Sequence, residues 1–320
     1  MNRGSDSSTR RALLLVNMGG PASNADVAPY MRAIFADPYI LPVPDFLRGF
    51  ISNMIVRKRT ESVIDKYNLI GGPSPLLKWT EKQTNLIRAD LNETYRRVTH
   101  CYRYTQPLIG EMLAELKRDG IEEVTLLPLF PHETRAMTGS IEVEARRHAE
   151  ELNLPLRIVP VWGLQQPIID LQADYLANGM EEAGEGTRVL FVAHGIPMRD
   201  VNRGDTYPHQ VRENAERLAA TLPDGTDWVL AYQSRVGPVK WTGPYLEDEV
   251  NRLAESNDPV VIMPLSFVAD CLETMYDLDL VAGPDLLERG VRKVVRVSAY
   301  NDDPRFAKTL MQVVGELMDE

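Results

Sequence analysis

Two apolar runs in the second half of the chain each deliver titratable side chains. Arg188-Val-Leu-Phe-Val-Ala193 leads into His194-Gly-Ile-Pro197, and Val260-Val-Ile-Met-Pro-Leu265 leads to Asp270, Glu273 and Asp277. In open parallel sheets, side chains just beyond the carboxyl ends of the strands converge on one crevice. An imidazole that titrates near neutrality accepts a proton there and returns it to solvent. A histidine after a strand is often structural, but Gly195 and Pro197 disfavour helix and leave this ring at a strand-end turn. Asp270, Glu273 and Asp277, at i, i+3 and i+7, form an acidic stripe on a helical face. That stripe suits holding a divalent cation or passing protons outward. The rival reading makes Asp270-x-x-Glu273 a capping box, with Asp as N-cap and Glu reaching back. Three like charges on one face repel, which favours the functional stripe.

Other segments carry chemistry less directly. Ser234-Arg-Val-Gly-Pro-Val-Lys-Trp-Thr-Gly-Pro244 has two Gly-Pro pairs, so it reads as an ordered loop holding Trp241. A loop tryptophan is either a core anchor or a flat surface for a flat ligand. Val201-Asn-Arg-Gly-Asp-Thr-Tyr-Pro208 is too decorated for a simple connector. Asn17-Met-Gly-Gly-Pro21 follows the first apolar run but lacks the spacing of a dinucleotide or P-loop fingerprint, which disfavours a nucleotide site. Phe46, Leu47, Phe50, Ile51, Met54 and Ile55 recur as one helical face ahead of Arg57-Lys-Arg59. Most such stripes are core. The basic tail makes a pocket lip or a membrane-facing patch the competing reading.

These groups need a scaffold. Eight short apolar runs alternate with helical patterns: 12–16, 98–102, 124–129, 156–161, 189–193, 228–232, 260–264 and 291–297. That alternation predicts parallel α/β architecture, as two similar Rossmann-like domains with a cleft between them. The expected boundaries are 1–165, with a lip insertion at about 39–80, and 166–302, carrying His194 and Glu273. A terminal amphipathic helix, 303–320, is expected to pack back on the first domain. The repeat reads as architectural, without residue-level correspondence. Ile109 to Arg118 is helical and stopped by Gly120, and Gln210 to Leu222 is likewise amphipathic. The connection between the first two runs far exceeds the usual loop of about 4–6 residues, so it must hold helices and an insertion.

Composition narrows the class. With 320 residues and 44% hydrophobic content the chain can bury a large core. A net charge of −11 disfavours nucleic acid as partner. Two distant cysteines, Cys101 and Cys271, provide neither a disulfide framework nor the four thiolates of most iron–sulfur clusters. The polar start lacks a secretory signal's apolar stretch, and no run is long enough to span a bilayer. The expected location is cytoplasmic, at most peripheral to a membrane.

Taken in order, the motifs resemble the ferrochelatase family from about residue 12 to 300. The carrying residues are Asn17-Met-Gly-Gly-Pro21, Gly71-Gly-Pro-Ser-Pro75, Arg103-Tyr104, Thr138-Gly-Ser140, His194-Gly-Ile-Pro197, Arg203-Gly-Asp-Thr-Tyr-Pro208, Ser234-Arg-Val-Gly-Pro238, Trp241 and Phe267-x-x-Asp-x-x-Glu-Thr274. The resemblance implies a lyase-type enzyme of haem and porphyrin biosynthesis that inserts ferrous iron into a porphyrin. Iron is then a substrate, and no permanently bound cofactor is implied. It makes His194 the active-site histidine and Glu273 its partner carboxylate across the cleft, as proton acceptor and metal-handling group or the reverse. Asp270 then supports the site and Asp277 extends an acidic path. Met18, Tyr67, Arg103, Tyr104, Ser140 and Trp241 become porphyrin-pocket residues, and Phe46, Leu47, Phe50 and Ile51 the lip. The chain departs from the family pattern at Cys271 (often His), Asp277 (often Glu) and Thr206 (often Pro). Met18, where coproporphyrin users carry tyrosine, leans toward protoporphyrin. A non-catalytic tetrapyrrole carrier and a cobalt or sirohydrochlorin-type chelatase are the alternatives on the same fold.

Overall fold

The computed structural model describes residues 10–90 and 94–319. They fall into two compact units, 1–130 with 135–160 and 302–320, and 131–134 with 161–301. The first unit runs β1 (Arg11–Asn17), α1 (Val27–Ala36), α2 (Asp45–Leu69), α3 (Pro75–Asp90), β2 (Arg97–Tyr102), α4 (Ile109–Arg118), β3 (Glu123–Pro128), α5 (Ser140–Glu151) and β4 (Leu156–Ile158). The second runs α6 (Gln166–Ala183), β5 (Arg188–His194), α7 (Met198–Val201), α8 (Tyr207–Ala219), β6 (Trp228–Gln233), α9 (Leu246–Leu253), β7 (Val260–Pro264), α10 (Gly283–Glu288) and β8 (Val294–Arg296). The chain then returns to the first unit through α11 (Pro304–Asp319), which packs on α3.

Each unit is a four-stranded parallel sheet, in the order β2-β1-β3-β4 and β6-β5-β7-β8. The central strands are buried on both faces, which is why they read as unbroken apolar runs rather than alternating ones. Helix α4 spans the predicted residues and is followed, after its cap Asp119, by Gly120, whose φ of +76° glycine adopts freely. Helix α8 starts three residues ahead of the predicted Gln210, because Pro208 is preorganised for a first turn. The boundary between the units differs slightly from the sequence reading, since residues 131–134 and 161–165 belong with the second unit.

The two units correspond at residue level, contrary to the reading of the repeat as architectural only. Val16 pairs with Pro128 as Val192 pairs with Pro264. This register aligns Val16-Asn-Met-Gly-Gly-Pro21 with Val192-Ala-His-Gly-Ile-Pro197, so Met18 is the counterpart of His194. The exits agree too. Leu129 N donates to Val16 O at 2.8 Å, and Leu265 N to Val192 O at 2.8 Å. Tyr102 N donates to Pro107 O and Tyr232 N to Pro244 O, closing the loop after β2 and after β6 in the same way. Only Val, Gly and Pro recur across the six-residue segment, too few to stand out without strand register.

One buried group gives the second unit an acid limit. His132, 2% exposed, donates from Nε2 to Asn214 Oδ1 at 3.2 Å, and Asn214 Nδ2 donates to Gln172 Oε1 at 2.7 Å. Burial pulls the imidazole pKa down to about 4, and the Asn214 bond only partly offsets this. The unfolded chain therefore binds a proton near pH 6.5 that the folded chain refuses until about pH 4. Stability is full above that window and falls as pH drops through it, by about 3 kcal/mol in all. Denaturant unfolding at pH 7 and pH 4.5 is expected to show this loss, and His132→Gln, which cannot titrate, is expected to remove most of it.

Candidate active site

His194 ends β5, half-buried, with its Nδ1 2.7 Å from the Gly195 carbonyl. A carbonyl only accepts, so Nδ1 carries a proton, and of the two neutral tautomers this contact selects the one whose lone pair lies at Nε2. The turn that follows is tightly held. A Cβ at Gly195 would meet Gln233 O at 2.9 Å and the Trp241 ring at 3.5 Å, so glycine is needed for the close approach. Thr242 Oγ1 accepts from Ile196 N at 3.0 Å, Thr242 N donates to Ile196 O at 2.9 Å, and Met198 N donates to Lys240 O at 2.8 Å. These bonds zip the Trp241 loop to the His194 turn. The indole Nε1–H is spent on Val236 O at 2.8 Å, so Trp241 offers a ligand its face rather than a hydrogen bond.

The 201–208 loop has a definite task. Buried Tyr207 donates from its hydroxyl to His194 O at 2.9 Å, and Ser266 Oγ lies 2.6 Å from the same hydroxyl. Tyr207 thus ties the exit of β5, which bears His194, to the exit of β7, which leads to Glu273. Asp205 Oδ1 accepts from Tyr207 N at 3.0 Å and fixes the start of α8. Burial raises the Tyr207 phenol far above its ordinary pKa, so this tie persists across the working pH range.

The acidic segment differs from both sequence readings. Glu273 opens a π-helix, Glu273–Ala282, so Asp270 is neither an N-cap nor part of a three-residue stripe. Asp270 precedes the helix, and its carboxylate is engaged on every side. Arg296 Nη1 and Asn301 Nδ2 each donate to it at 2.8 Å, and Thr274 Oγ1 at 3.0 Å. Arg296 also holds Asp279 in a two-pronged pair, Nε to Oδ1 at 2.7 Å and Nη2 to Oδ2 at 2.8 Å. One guanidinium therefore clamps the segment ahead of Glu273 and the helix after it. Burial opposes the charge on Arg296, but the carboxylates of Asp279 and Asp270 outweigh it and hold its pKa above the ordinary value. Asp277 lies in the same π-helix as Glu273, and Ser234 Oγ, at the exit of β6, donates to its Oδ2 at 3.5 Å. Cys271 is buried, and burial with the neighbouring Glu273 charge pushes its thiol well up, so it stays protonated rather than offering a thiolate. Local π-helical turns are uncommon and concentrate at functional sites. Among the described residues, no three His, Cys, Asp or Glu side chains form a group able to hold a metal ion.

The first unit gathers a second set at its strand exits. Arg103 N donates to Asn17 O at 2.9 Å and Tyr104 N to Met18 O at 3.1 Å, which brings Met18 beside Arg103 and Tyr104. Arg103, Tyr104 and Ser140 all converge on Asp37, a residue that the sequence reading missed. Ser140 follows another π-helical turn, Arg135–Gly139, in the position that corresponds to the Glu273 segment. Tyr67, 5% exposed, is buried near the end of α2. The stripe on α2 is not core. Phe46 is 82%, Phe50 73%, Met54 56% and Leu47 39% exposed, while Ile51 is half-buried.

Comparison with known proteins places this arrangement. A family model described as Ferrochelatase matches residues 10–318. A protein named Ferrochelatase from Geotalea daltonii is 33% identical over 98% of this chain and 99% of its own length. Ferrochelatases from Caulobacter vibrioides and Synechococcus elongatus are 34% and 33% identical, over 95% and 97% of this chain and 89% and 83% of theirs. Among solved structures, SirB from Bacillus subtilis with Fe3+ shares the fold at a TM-score of 0.59 and 14% identity, covering 96% of this chain and 95% of that one. With a family model matched over residues 10–318 and relatives of that name 33–34% identical over nearly the whole chain, the chain belongs to the ferrochelatase family.

Proposed function

We propose that this protein inserts ferrous iron into a porphyrin in haem biosynthesis, with protoporphyrin IX as the preferred ring. The observation that carries the reading is His194, with Nδ1 committed to Gly195 O and Nε2 open, at a strand exit tied through Tyr207 to the Glu273 segment. Iron enters the ring only after two pyrrole N–H protons leave, and a flat macrocycle hides its nitrogens from the metal. Nε2 of His194 accepts a pyrrole proton. Glu273 and Asp277, at the start of the π-helix, handle the incoming cation or carry the proton away. Asp270 acts through its clamp with Arg296 rather than as a proton carrier. In the second unit the Trp241 face is read as a contact for the macrocycle; in the first, Met18 and the Arg103 edge are read as lining the porphyrin pocket that the family resemblance implies, and Met18 in place of a polar tyrosine favours the less carboxylated porphyrin. Tyr104 and Ser140 serve that pocket by holding Arg103, and Tyr67 by shaping its wall.

The test is anaerobic turnover of purified protein with ferrous iron, following collapse of the porphyrin absorption bands into those of the metalloporphyrin. Turnover with protoporphyrin IX faster than with coproporphyrin III is the expected result. Absence of metalation with both rings, and with sirohydrochlorin taken up instead, would overturn it.

The exposed apolar stripe on α2 is read as the lip of the porphyrin pocket and as a peripheral membrane contact. No helix among the described residues is long and apolar enough to cross a membrane. Wild type is expected to co-sediment with liposomes containing anionic lipid, and Phe46→Ser/Phe50→Ser to lose at least about tenfold in partitioning, since burying each ring contributes about 1.5–3 kcal/mol. Equal sedimentation of both proteins would remove the membrane contact.

A further inference from the structure

Asp37 closes α1 with its side chain 1% exposed, and both of its carboxylate oxygens are engaged. Its Oδ2 accepts from Arg103 Nη2 at 2.9 Å, Tyr104 OH at 2.8 Å and Ser140 Oγ at 2.5 Å. Its Oδ1 accepts from Tyr39 N at 2.8 Å. Arg103 Nε donates to Ser140 Oγ at 2.8 Å, and the guanidinium lies 5.0 Å from the Tyr104 ring. These bonds decide what the group can offer a ligand. The Ser140 and Tyr104 protons both point to Asp37, so neither hydroxyl donates elsewhere. Burial, with the Asp37 charge, holds the Tyr104 phenol far above its ordinary pKa and keeps it neutral. Arg103 Nη1 is the guanidinium nitrogen not spent within this group, on a side chain 18% exposed and a cation whose charge is largely cancelled by a carboxylate in direct contact.

We propose that Asp37 is a specificity-determining positioning residue: it aims the edge of Arg103 at one substrate carboxylate while cancelling the charge that would draw in more. The wall formed by Met18, Arg103 and Tyr104 then recognises a dicarboxylate porphyrin and gains nothing from the two extra carboxylates of a tetracarboxylate ring. This rests on the reading of Arg103 as a porphyrin contact. An uncancelled charge within a Debye length, about 8 Å, of two additional carboxylates is worth a factor of about three in relative affinity.

Fluorescence-quenching titration of wild type, Asp37→Asn, Arg103→Gln and the double variant with protoporphyrin IX and coproporphyrin III tests this. Asp37→Asn keeps an acceptor oxygen but uncovers the Arg103 charge, and is expected to shift the affinity ratio about threefold toward coproporphyrin, more at low salt. Arg103→Gln leaves the Asp37 charge uncovered and is expected to shift the ratio about threefold the other way, so the mirror variant decides the matter even where the first does not fold. The double variant is expected to restore the wild-type ratio. Parallel weakening of both porphyrins, or an Asp37→Asn shift that persists without Arg103, would show Asp37 to be a fold residue alone. Wild type binding neither ring would instead bring down the functional reading.

Discussion

His194→Ala is expected to bind protoporphyrin IX within about threefold of wild type yet to lose a factor of about 10²–10⁴ in metalation rate. The ring is half-buried, and its one described side-chain bond is to its own neighbour, Gly195 O, so its removal breaks no contact that holds the fold. Stability should change by less than about 1 kcal/mol. The turn itself is kept by Tyr207, Thr242 and the Trp241 loop through backbone atoms, which alanine preserves. What disappears is the Nε2 lone pair. Acting as proton acceptor, it is lost with equal effect for ferrous iron and zinc, because both metals require the same two deprotonations. Acting as an iron ligand, it would give a loss that varies with the metal's preference for imidazole. Comparing the two metals on this variant therefore assigns the role.

The second large effect belongs to a residue that touches no substrate. Arg296→Gln is expected to cost about 3 kcal/mol of stability and at least tenfold in the apparent affinity for ferrous iron. Asp270 and Asp279 are mostly buried and share this one guanidinium, so its loss leaves two carboxylates facing each other without a cation. The π-helix between them carries Glu273 and Asp277 and would relax away from its present register. Arg296→Lys keeps the charge but cannot form the two-pronged pair with Asp279, so it should recover most stability and little of the iron affinity. Urea unfolding together with KM for iron and for porphyrin separates these outcomes. Equal loss of both KM values, or full recovery by lysine, would reduce Arg296 to a structural ion pair.

The central strands were legible because a strand buried on both faces must be apolar throughout, and each of the eight runs contains a strand, though only three residues long in 156–161 and in 291–297. Helix α4 was legible through its apolar face and the glycine beyond it. The Glu273 segment was not. Spacings of three and four residues look alike in α- and π-helices, and the clamp that selects between them comes from Arg296 and Asn301, remote in sequence from Asp270. Asp37 was missed for the same reason, since its partners lie 66 to 103 residues away. His194 and Trp241 announced themselves by residue type among Gly and Pro, whereas Arg103 came only through the family resemblance. Tyr207 was visible only as part of a decorated loop, and its bond to His194 O could not be read from spacing. The correspondence of Met18 with His194 needed strand register, because the Val-x-x-Gly-x-Pro pattern they share is short.

The most direct measurement is anaerobic multiple turnover by wild-type protein preloaded with protoporphyrin IX, counting haem formed and protons released as ferrous iron is added. Iron insertion predicts haem in excess of protein and two protons released for each iron taken up. Tight porphyrin binding without metalation by iron, cobalt or zinc would contradict it and leave a carrier in place of an enzyme.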